Sequence, residues 1–241
     1  MRVIVAHNPR ELGEEAARLA AAVLRRAVKE KGSARLALAT GASVLDALAA
    51  LTKEDVPWKQ IELFQVCEYV EMAKNDPKSC RKALRDRFAK RVSVKAVYDL
   101  DGTEESVRRM NELLRDAPVD LVLLGMGRQG QVGFNAAPAD FDARVPYLMN
   151  EEAVTMTVHE MMRSHNIIVC APYAIHSENV WQVMMHPITE NLPATALKRH
   201  PRVDFLMDRE SASQVSLELM FRHNPNLEMY QLIEGEEETE E

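Results

Sequence analysis

Residues 120–135 read DLVLLGMGRQGQVGFN, and this stretch decides the fold. Its apolar part is continuous rather than alternating, which is typical of a parallel strand that is covered on both faces. Residues 167–169, Ile-Ile-Val, show the same pattern. Helical patterns separate most such runs along the chain. This alternation predicts an α/β fold: a doubly wound, Rossmann-like, mostly parallel sheet with helices on both faces.

β-rich runs and helical periodicities predict the other elements. Asn8 as cap, Pro9 in the first turn and Gly32 predict the two ends of the first helix. Further helices are predicted at 44–51, 79–90, 104–115 and 177–185. Strands are predicted at 3–6, 35–39, 61–66, 96–100, 120–124, 154–158, 167–171 and 203–207. One domain, residues 1–233, is expected, followed by a disordered acidic tail, residues 234–241, whose like charges repel one another.

Composition and charge exclude several classes of protein. The chain has 241 residues, a hydrophobic fraction of 46% and a net charge of −7. This balance argues against nucleic acid as a partner, because phosphate neutralisation needs a basic surface. No apolar run approaches the roughly 18–20 residues of a membrane span, and the N-terminus does not read as a secretory signal. We therefore expect a cytoplasmic protein with no membrane partner.

The sequence contains no pattern that requires a metal ion or a cofactor. Its histidines lack the spacing of a zinc site, and its three cysteines are too scattered for a disulfide framework. The glycines of the 125–130 loop resemble a dinucleotide fingerprint, but no acidic residue lies about 20 positions further on, as ribose binding needs. Cys67 could be a nucleophile or an inert buried thiol. No metal and no cofactor are expected.

Two loops follow predicted strands, where ligands bind in open α/β sheets. Residues 40–43, Thr-Gly-Ala-Ser, open a helix and would present backbone N–H groups to a phosphate. The alternative is an ordinary tight turn with Ser43 as the helix cap. The glycines of the 125–130 loop let the backbone approach a ligand closely. Both loops are candidate ligand sites.

These segments resemble the glucosamine-6-phosphate deaminase/isomerase family, which includes the 6-phosphogluconolactonases. Residues 38–43, LATGAS, lie where the family has its Thr-Gly-Ser/Gly-Thr phosphate loop. Residues 64–70, FQVCEYV, match Phe-Asn-Met-Asp-Glu-Tyr-Val, and residues 125–135 match Gly-x-Gly-x-Asp-Gly-His-Ile-Ala-Phe-Asn. Residues 76–79 and 197–208 match His-Pro-x-Ser and the closing Leu-x-x-His-Pro…Asp pattern. The similarity runs from residue 1 to about 211.

The resemblance implies the family's fold, but the groups that perform deamination are replaced. The family's Asp base is Cys67 here, its second Asp and its His are Gln129 and Gln131, and its Glu is Ala136. A Gln amide cannot accept and return a proton near neutral pH, and Ala has no polar side-chain atom. No catalytic residue is therefore assigned with assurance. Glu68 is the surviving candidate, either as an acid/base or as a structural hydrogen-bond acceptor that orients its loop.

The cations that bind phosphate in the family are also replaced. Its Lys after the Ile-Leu-Val strand is lost around residues 173–174, and the segment 144–154, where its second Arg lies, is shorter. The loops at 40–43, 67–69 and 125–135 are still expected to meet in one cleft. The substrate- or phosphate-binding residues that the resemblance implies are Thr40, Gly41, Ala42, Ser43, Gly125, Gly127, Gly130 and Asn135.

Three readings of the function stay open. The first is a non-catalytic homologue that binds a small sugar phosphate weakly or serves as a regulatory or structural partner. The second is an active isomerase, deaminase or lactonase on a related sugar phosphate, with Cys67 or Glu68 in a rearranged site. The third is an ordinary deaminase/isomerase of amino-sugar metabolism, as the family alone implies. A homo-oligomer is compatible with each of them.

Overall fold

A parallel sheet forms the centre of the computed structural model, which describes residues 1–115, 117–216, 218, 220 and 228–232. Within these residues the sheet order is β11-β1-β10-β9-β6-β2-β3-β5, and every neighbouring pair is parallel. A smaller antiparallel sheet has the order β4-β8-β7. The strands are β1 (Arg2–Ala6), β2 (Ala34–Leu38), β3 (Ile61–Gln65), β4 (Cys67–Tyr69), β5 (Ala96–Tyr98), β6 (Leu121–Gly125), β7 (Tyr147–Met149), β8 (Ala153–Met156), β9 (Ile167–Ala171), β10 (Val203–Asp208) and β11 (Glu228–Leu232).

Helices cover both faces of the large sheet, so the predicted α/β fold is confirmed. Successive residues of β6 explain the continuous apolar run: Leu121 and Leu123 face one core, while Val122 and Leu124 face the other. Helices α1 and α2 pack in the first core, and α4 and α6 in the second. The helices are α1 (Pro9–Lys31), α2 (Leu45–Leu51), α3 (Cys80–Leu84), α4 (Glu104–Arg115), α5 (Val158–Arg163) and α6 (Ser177–Met185).

Local sequence signals act at the ends of α1 as predicted. The Asn8 side chain accepts a hydrogen bond from the Glu11 N–H, Pro9 occupies the first turn, and Gly32 ends the helix at φ 78°. The predicted helix at 79–90 is divided instead: α3 ends at Leu84 and a π turn, Arg85–Ala89, continues it. The capping residues therefore predicted the ends of α1 correctly, whereas the apolar periodicity at 79–90 did not predict the change from an α-helix to a π turn.

The small sheet is where the sequence-based expectation is wrong. Residues 67–69 were expected as a loop but form β4, which pairs with β8. The strand expected at 154–158 ends at Met156, because the Thr157 side chain accepts from the Glu160 N–H and starts helix α5. Both pairings of this sheet are antiparallel, so β8 lies outside the parallel sheet.

The end of the predicted domain and the acidic tail, residues 234–241, lie outside the described residues. In the part of the chain that the structure describes, no helix is long and apolar enough to cross a membrane.

Candidate functional site

A cavity of about 460 Å³ lies at the carboxyl edge of the large sheet. The loops that enclose it follow β9, β6, β2 and β3, which are four neighbouring strands. The predicted meeting of the 40–43, 67–69 and 125–135 loops in one cleft is confirmed. We call this space the carboxyl-edge cavity; the lining residues used below are Thr40, Gly41, Ala42, Ser43, Cys67, Tyr69, Lys78, Ser79, Cys80, Arg87, Gly125, Gly127, Arg128, Gln131, Phe134 and His176.

Ser43 joins the 40–43 loop to the glycine-rich loop. It is not the helix cap that the alternative reading expected, because residues 42–44 form a 3₁₀ turn with no side-chain cap. Its hydroxyl instead donates to the Met126 carbonyl over 3.1 Å. A Cβ at Gly125 would lie 2.7 Å from the Ser43 Cβ, so this close approach requires glycine at position 125. The loop is therefore held in shape by backbone packing.

His176 is a site residue that sequence reasoning missed. It ends the 3₁₀ turn Ala174–His176, is buried, and places Nε2 3.2 Å from the Ser43 Oγ. Its Nδ1 is buried and has no hydrogen-bond partner among the described residues. Burial lowers the pKa of the His176 imidazole, and the positive charge of Arg128 lowers it further. Its position, five residues after a continuous apolar strand, was the signal that could have found it.

The turn that carries His176 contains a strained residue. Tyr173 has φ 74° and ψ 145°, a conformation that a residue with a side chain rarely adopts. Its N–H donates to the Asp208 Oδ2 over 2.8 Å, and this bond from the end of β10 holds the turn in place. The strained turn thus places His176 in the lining of the cavity.

Three cations line the cavity: Lys78, Arg87 and Arg128. None of them forms a salt bridge with another residue of the described ranges. No Asp or Glu is found among the described residues that line it. Lined by three cations and by no described carboxylate, the cavity is electropositive.

The four positions at which the resemblance implies catalytic side chains, residues 67, 129, 131 and 136, separate in the structure. Cys67 and Gln131 line the cavity, whereas Gln129 and Ala136 are exposed and outside its lining. The Gln131 Oε1 accepts from the Gln129 N–H over 2.9 Å, so this side chain is occupied with its own loop. The hydrogen bond between Cys67 and Cys80 raises the pKa of the Cys67 thiol well above its usual value, and burial raises it further. Cys67 is therefore poorly suited to act as a thiolate base.

Glu68 does not line the cavity but is buried behind it. Its carboxylate accepts from the N–H groups of Tyr69, Cys80 and Arg81, over 2.9, 3.1 and 2.7 Å, and from the Ser79 hydroxyl over 2.8 Å. These bonds tie β4 to the start of α3. The geometry supports the structural reading of Glu68 over the acid/base reading.

Two residues expected to bind ligand hold the loop instead. The Asn135 amide donates to the carbonyls of Val132 and Met156, over 2.7 and 2.9 Å. Gly130 has φ 70°, and a Cβ there would overlap the Leu192 side chain. Neither residue is among the described lining of the cavity. Their contribution is to the shape of the glycine-rich loop.

A second hollow, of about 590 Å³, is lined by residues between Thr52 and Ser93. Although larger, it lies beside segments that precede β3 and β5, at the amino ends of those strands. Ligands of open α/β sheets bind at the other edge. In the described ranges, no three His, Cys, Asp or Glu side chains are grouped so that they could hold a metal ion. The carboxyl-edge cavity is therefore the candidate site.

Comparison with known proteins identifies the family of this chain. Residues 7–205 match the family described as glucosamine-6-phosphate isomerases/6-phosphogluconolactonase. A glucosamine-6-phosphate deaminase of Bacillus cereus (strain B4264) is 27% identical in an alignment of 246 positions, which covers 92% of this chain and 92% of the relative. One of Streptococcus pneumoniae serotype 4 is 28% identical in an alignment of 212 positions, which covers 77% of this chain and 91% of the relative.

Solved structures show the same fold. A monomeric glucosamine-6-phosphate deaminase superposes with a TM-score of 0.78 at 28% identity, covering 89% of this chain and all of the other. A 6-phosphogluconolactonase from Trypanosoma cruzi superposes with a TM-score of 0.75 at 15% identity, covering 89% of this chain and 97% of the other. At that identity the second likeness concerns the fold alone.

Proposed function

The chain belongs to the glucosamine-6-phosphate isomerase/6-phosphogluconolactonase family, and from that premise we propose that it binds a sugar phosphate without performing deamination. One observation carries this proposal: the described lining of the carboxyl-edge cavity holds three cations and no carboxylate. Such a lining favours an anion, and it lacks the carboxylates that, by the resemblance, move protons between carbon atoms in the family. We thus propose that the protein is a catalytically degenerate homologue of the enzymes of amino-sugar metabolism.

The 40–43 loop and its neighbours supply the phosphate contacts in this proposal. Backbone N–H groups at the start of a helical turn favour an anion, and Ser43 is held between Met126 and His176. Arg128 adds a charge-assisted contact. Because the family's own Lys and second Arg are replaced, we propose weaker binding than in an intact relative.

The sugar would lie between the phosphate loop and an aromatic wall. Tyr69 and Phe134 line the cavity with their ring centroids 4.8 Å apart. Aromatic faces of this kind provide apolar contact to a ligand whose polar groups are bound elsewhere. The Gln131 side chain lies in the same lining, and its amide N–H groups can donate to a hydroxyl group while its Oε1 accepts from the Gln129 N–H.

Calorimetry with matched ligands tests the binding. We expect glucosamine 6-phosphate to bind with a Kd above about 1 μM and glucosamine to bind not at all, because the phosphate supplies most of the attraction. Arg128→Ala should weaken binding, while Arg91→Ala, in the second hollow, is the matched control. Equal affinity for the two sugars, or no binding of either, would contradict the proposed ligand.

An ammonia-release assay tests the absence of deamination. We expect turnover far below about 1 s⁻¹, the ordinary lower range for enzymes. A Cys67→Ala variant is the control for a contaminating enzyme, whose activity would be unchanged in that variant. Faster turnover that disappears in Cys67→Ala would overturn the degenerate reading and leave the ligand assignment intact.

An active enzyme with a rearranged site is the alternative, and one observation favours it. Cys80 lines the cavity, and the hydrogen bond from Cys67 lowers the pKa of its thiol. It would replace Cys67 as the candidate base for an isomerase, deaminase or lactonase reaction. Turnover of a related sugar phosphate that is lost in Cys80→Ser would establish this alternative.

The cytoplasmic location and a homo-oligomeric state stay predictions. Cell fractionation tests the first, and sedimentation tests the second.

A further inference from the structure

Two thiols meet in the wall of the carboxyl-edge cavity. Cys67 is the first residue of β4 and Cys80 the first residue of α3, and both line the cavity. Each thiol also acts on the other: Cys80 raises the pKa of Cys67, and Cys67 lowers the pKa of Cys80. The third cysteine, Cys170, lies on β9, is fully buried and is outside the lining. The chain therefore holds one thiol pair and one separate, inaccessible thiol.

The pair is held together by a built network. Glu68 follows Cys67 in β4, and its carboxylate accepts from the N–H groups of Cys80 and Arg81 and from the Ser79 hydroxyl. The start of α3 is thereby fixed against β4. Since all these groups are buried or partly buried, the two thiols are positioned by the fold.

The two thiols are not equivalent. Cys67 lowers the pKa of the Cys80 thiol. Burial and Glu68 raise that pKa, while the Thr40 hydroxyl lowers it again. Cys80 is also the more accessible of the two, since Cys67 is only 5% exposed. Cys80 has the properties of an attacking thiolate, and Cys67 those of a second thiol that reacts afterwards.

We propose that Cys67 and Cys80 form a dithiol modification site that small-molecule disulfides oxidise. The Cys80 thiolate attacks one sulfur of the disulfide RSSR, forming a Cys80–S–S–R bond and releasing RS⁻. Cys67 then loses its proton to solvent and attacks the Cys80 sulfur, forming the Cys67–Cys80 disulfide and releasing the second RS⁻. The two thiols are oxidised and RSSR is reduced to two RSH once protons from the solution are taken up.

This site does not depend on the proposed sugar-phosphate ligand. Its chemistry needs the two thiols, the open cavity and an external disulfide. Failure of sugar-phosphate binding would leave it standing, and failure of the oxidation would leave the ligand assignment standing.

The test uses the full chain, fully reduced and then incubated with oxidised glutathione. Intact-mass measurement should show the loss of two hydrogen atoms without a retained adduct, and peptide mapping should find Cys67 joined to Cys80. Cys67→Ser should instead retain one glutathione on Cys80, and Cys80→Ser should stay unmodified. Cys170→Ser is the matched control and should behave as the unaltered chain does.

Two results would overturn the proposal. One is a stable glutathione adduct on Cys80 of the unaltered chain without the Cys67–Cys80 peptide. The other is a native chain that stays reduced while the urea-unfolded chain reacts. If either variant fails to fold, alkylation of the unaltered chain by iodoacetamide decides: the pH midpoint at Cys80 should lie below the free-cysteine value of about 8.5. A midpoint at or above that value also refutes the assignment.

Discussion

Two parts of the carboxyl-edge cavity differ in the groups that they present. One, which we call the anion end, presents backbone groups, and the other, which we call the reaction end, presents side chains. At the anion end, the 40–43 loop presents backbone N–H groups, and its shape depends on the close approach of Gly125 to Ser43. At the reaction end, Cys67 and Gln131 line the cavity. Under the proposed function they take the places of side chains on which catalysis in the family depends. One end is encoded by the fold, and the other by single residues.

Under the proposed function, this difference explains why the catalytic groups of such a site are lost while its anion-binding loop is kept. Loop geometry is fixed by many contacts at once, so most substitutions leave the N–H donors in place. A general base is lost with one substitution, and each such group typically supplies about 10²–10⁴-fold in rate. Three sets of variants, in decreasing order of expected effect, test this difference between the anion end and the reaction end.

Replacing Glu68 tests whether the reaction end keeps its scaffold after losing its chemistry. Glu68→Ala removes the acceptor of three partly buried backbone N–H groups and of the buried Ser79 hydroxyl. Because hydrogen bonds to charged groups are worth about 1.5–3 kcal/mol each, we expect the free energy of unfolding to fall by at least about 3 kcal/mol. Urea denaturation measures this change.

The matched control for that variant is Glu14→Ala. Glu14 pairs with Arg10 on the exposed face of α1, and a pair of this kind contributes at most about 0.5 kcal/mol. If Glu68→Ala were as mild as Glu14→Ala, the structural role of Glu68 would be refuted and the acid/base reading would regain support.

Paired variants at the two ends test where the ligand's charge is bound. Arg128→Ala removes a lining cation, so we expect roughly tenfold weaker phosphate binding, which corresponds to about 1.4 kcal/mol. Gln131→Ala should change the affinity for inorganic phosphate by less than about twofold, since its side chain bonds the Gln129 N–H. Calorimetry with inorganic phosphate measures both. A larger loss in Gln131→Ala than in Arg128→Ala would reverse the assignment of the two ends.

Local patterns in the sequence predicted the parallel strands and the ends of α1. Elements that depend on contacts between distant residues were missed. The continuous apolar runs of β6 and β9 identified the parallel sheet, and Asn8 with Gly32 identified the ends of α1. The three-residue strand β4 escaped because its partner β8 lies almost 90 residues away and periodicity needs a longer window. Thr157 ended β8 early through one side-chain hydrogen bond.

The site shows the same division. The 40–43 loop and the glycine-rich loop could be placed from their positions after strands. His176 could have been placed near the site from its position after β9, but its role could not be predicted, because that role depends on the contact with Ser43, 133 positions away. The Cys67–Cys80 pair escaped for the same reason: the bonds of Glu68 that fix α3 against β4 exist only in the fold.

The smallest expected effect is a pH dependence at the anion end. The pKa of His176 lies below its ordinary value of 6.5, chiefly because of burial and then because of Arg128, while Asp208 acts in the opposite direction. His176 is therefore neutral at pH 7.5 and gains a proton as the pH falls. Protonation adds a positive charge beside Ser43, so affinity for an anion should rise several-fold as the pH is lowered through that pKa, by up to about tenfold or 1.4 kcal/mol.

Inorganic sulfate is the appropriate probe, because a phosphate monoester itself titrates near pH 6 and would obscure the effect. We expect sulfate affinity, measured by calorimetry between pH 7.5 and the lowest pH at which the chain stays folded, to increase steadily. In His176→Asn the increase should be largely lost, while the affinity at pH 7.5 changes little because the replaced imidazole is neutral there. An Arg128→Ala variant should bind more weakly overall yet keep the pH dependence, shifted to higher pH, since Arg128 opposes protonation of His176. A flat profile in the unaltered chain, or an unchanged slope in His176→Asn, would remove His176 from the anion end.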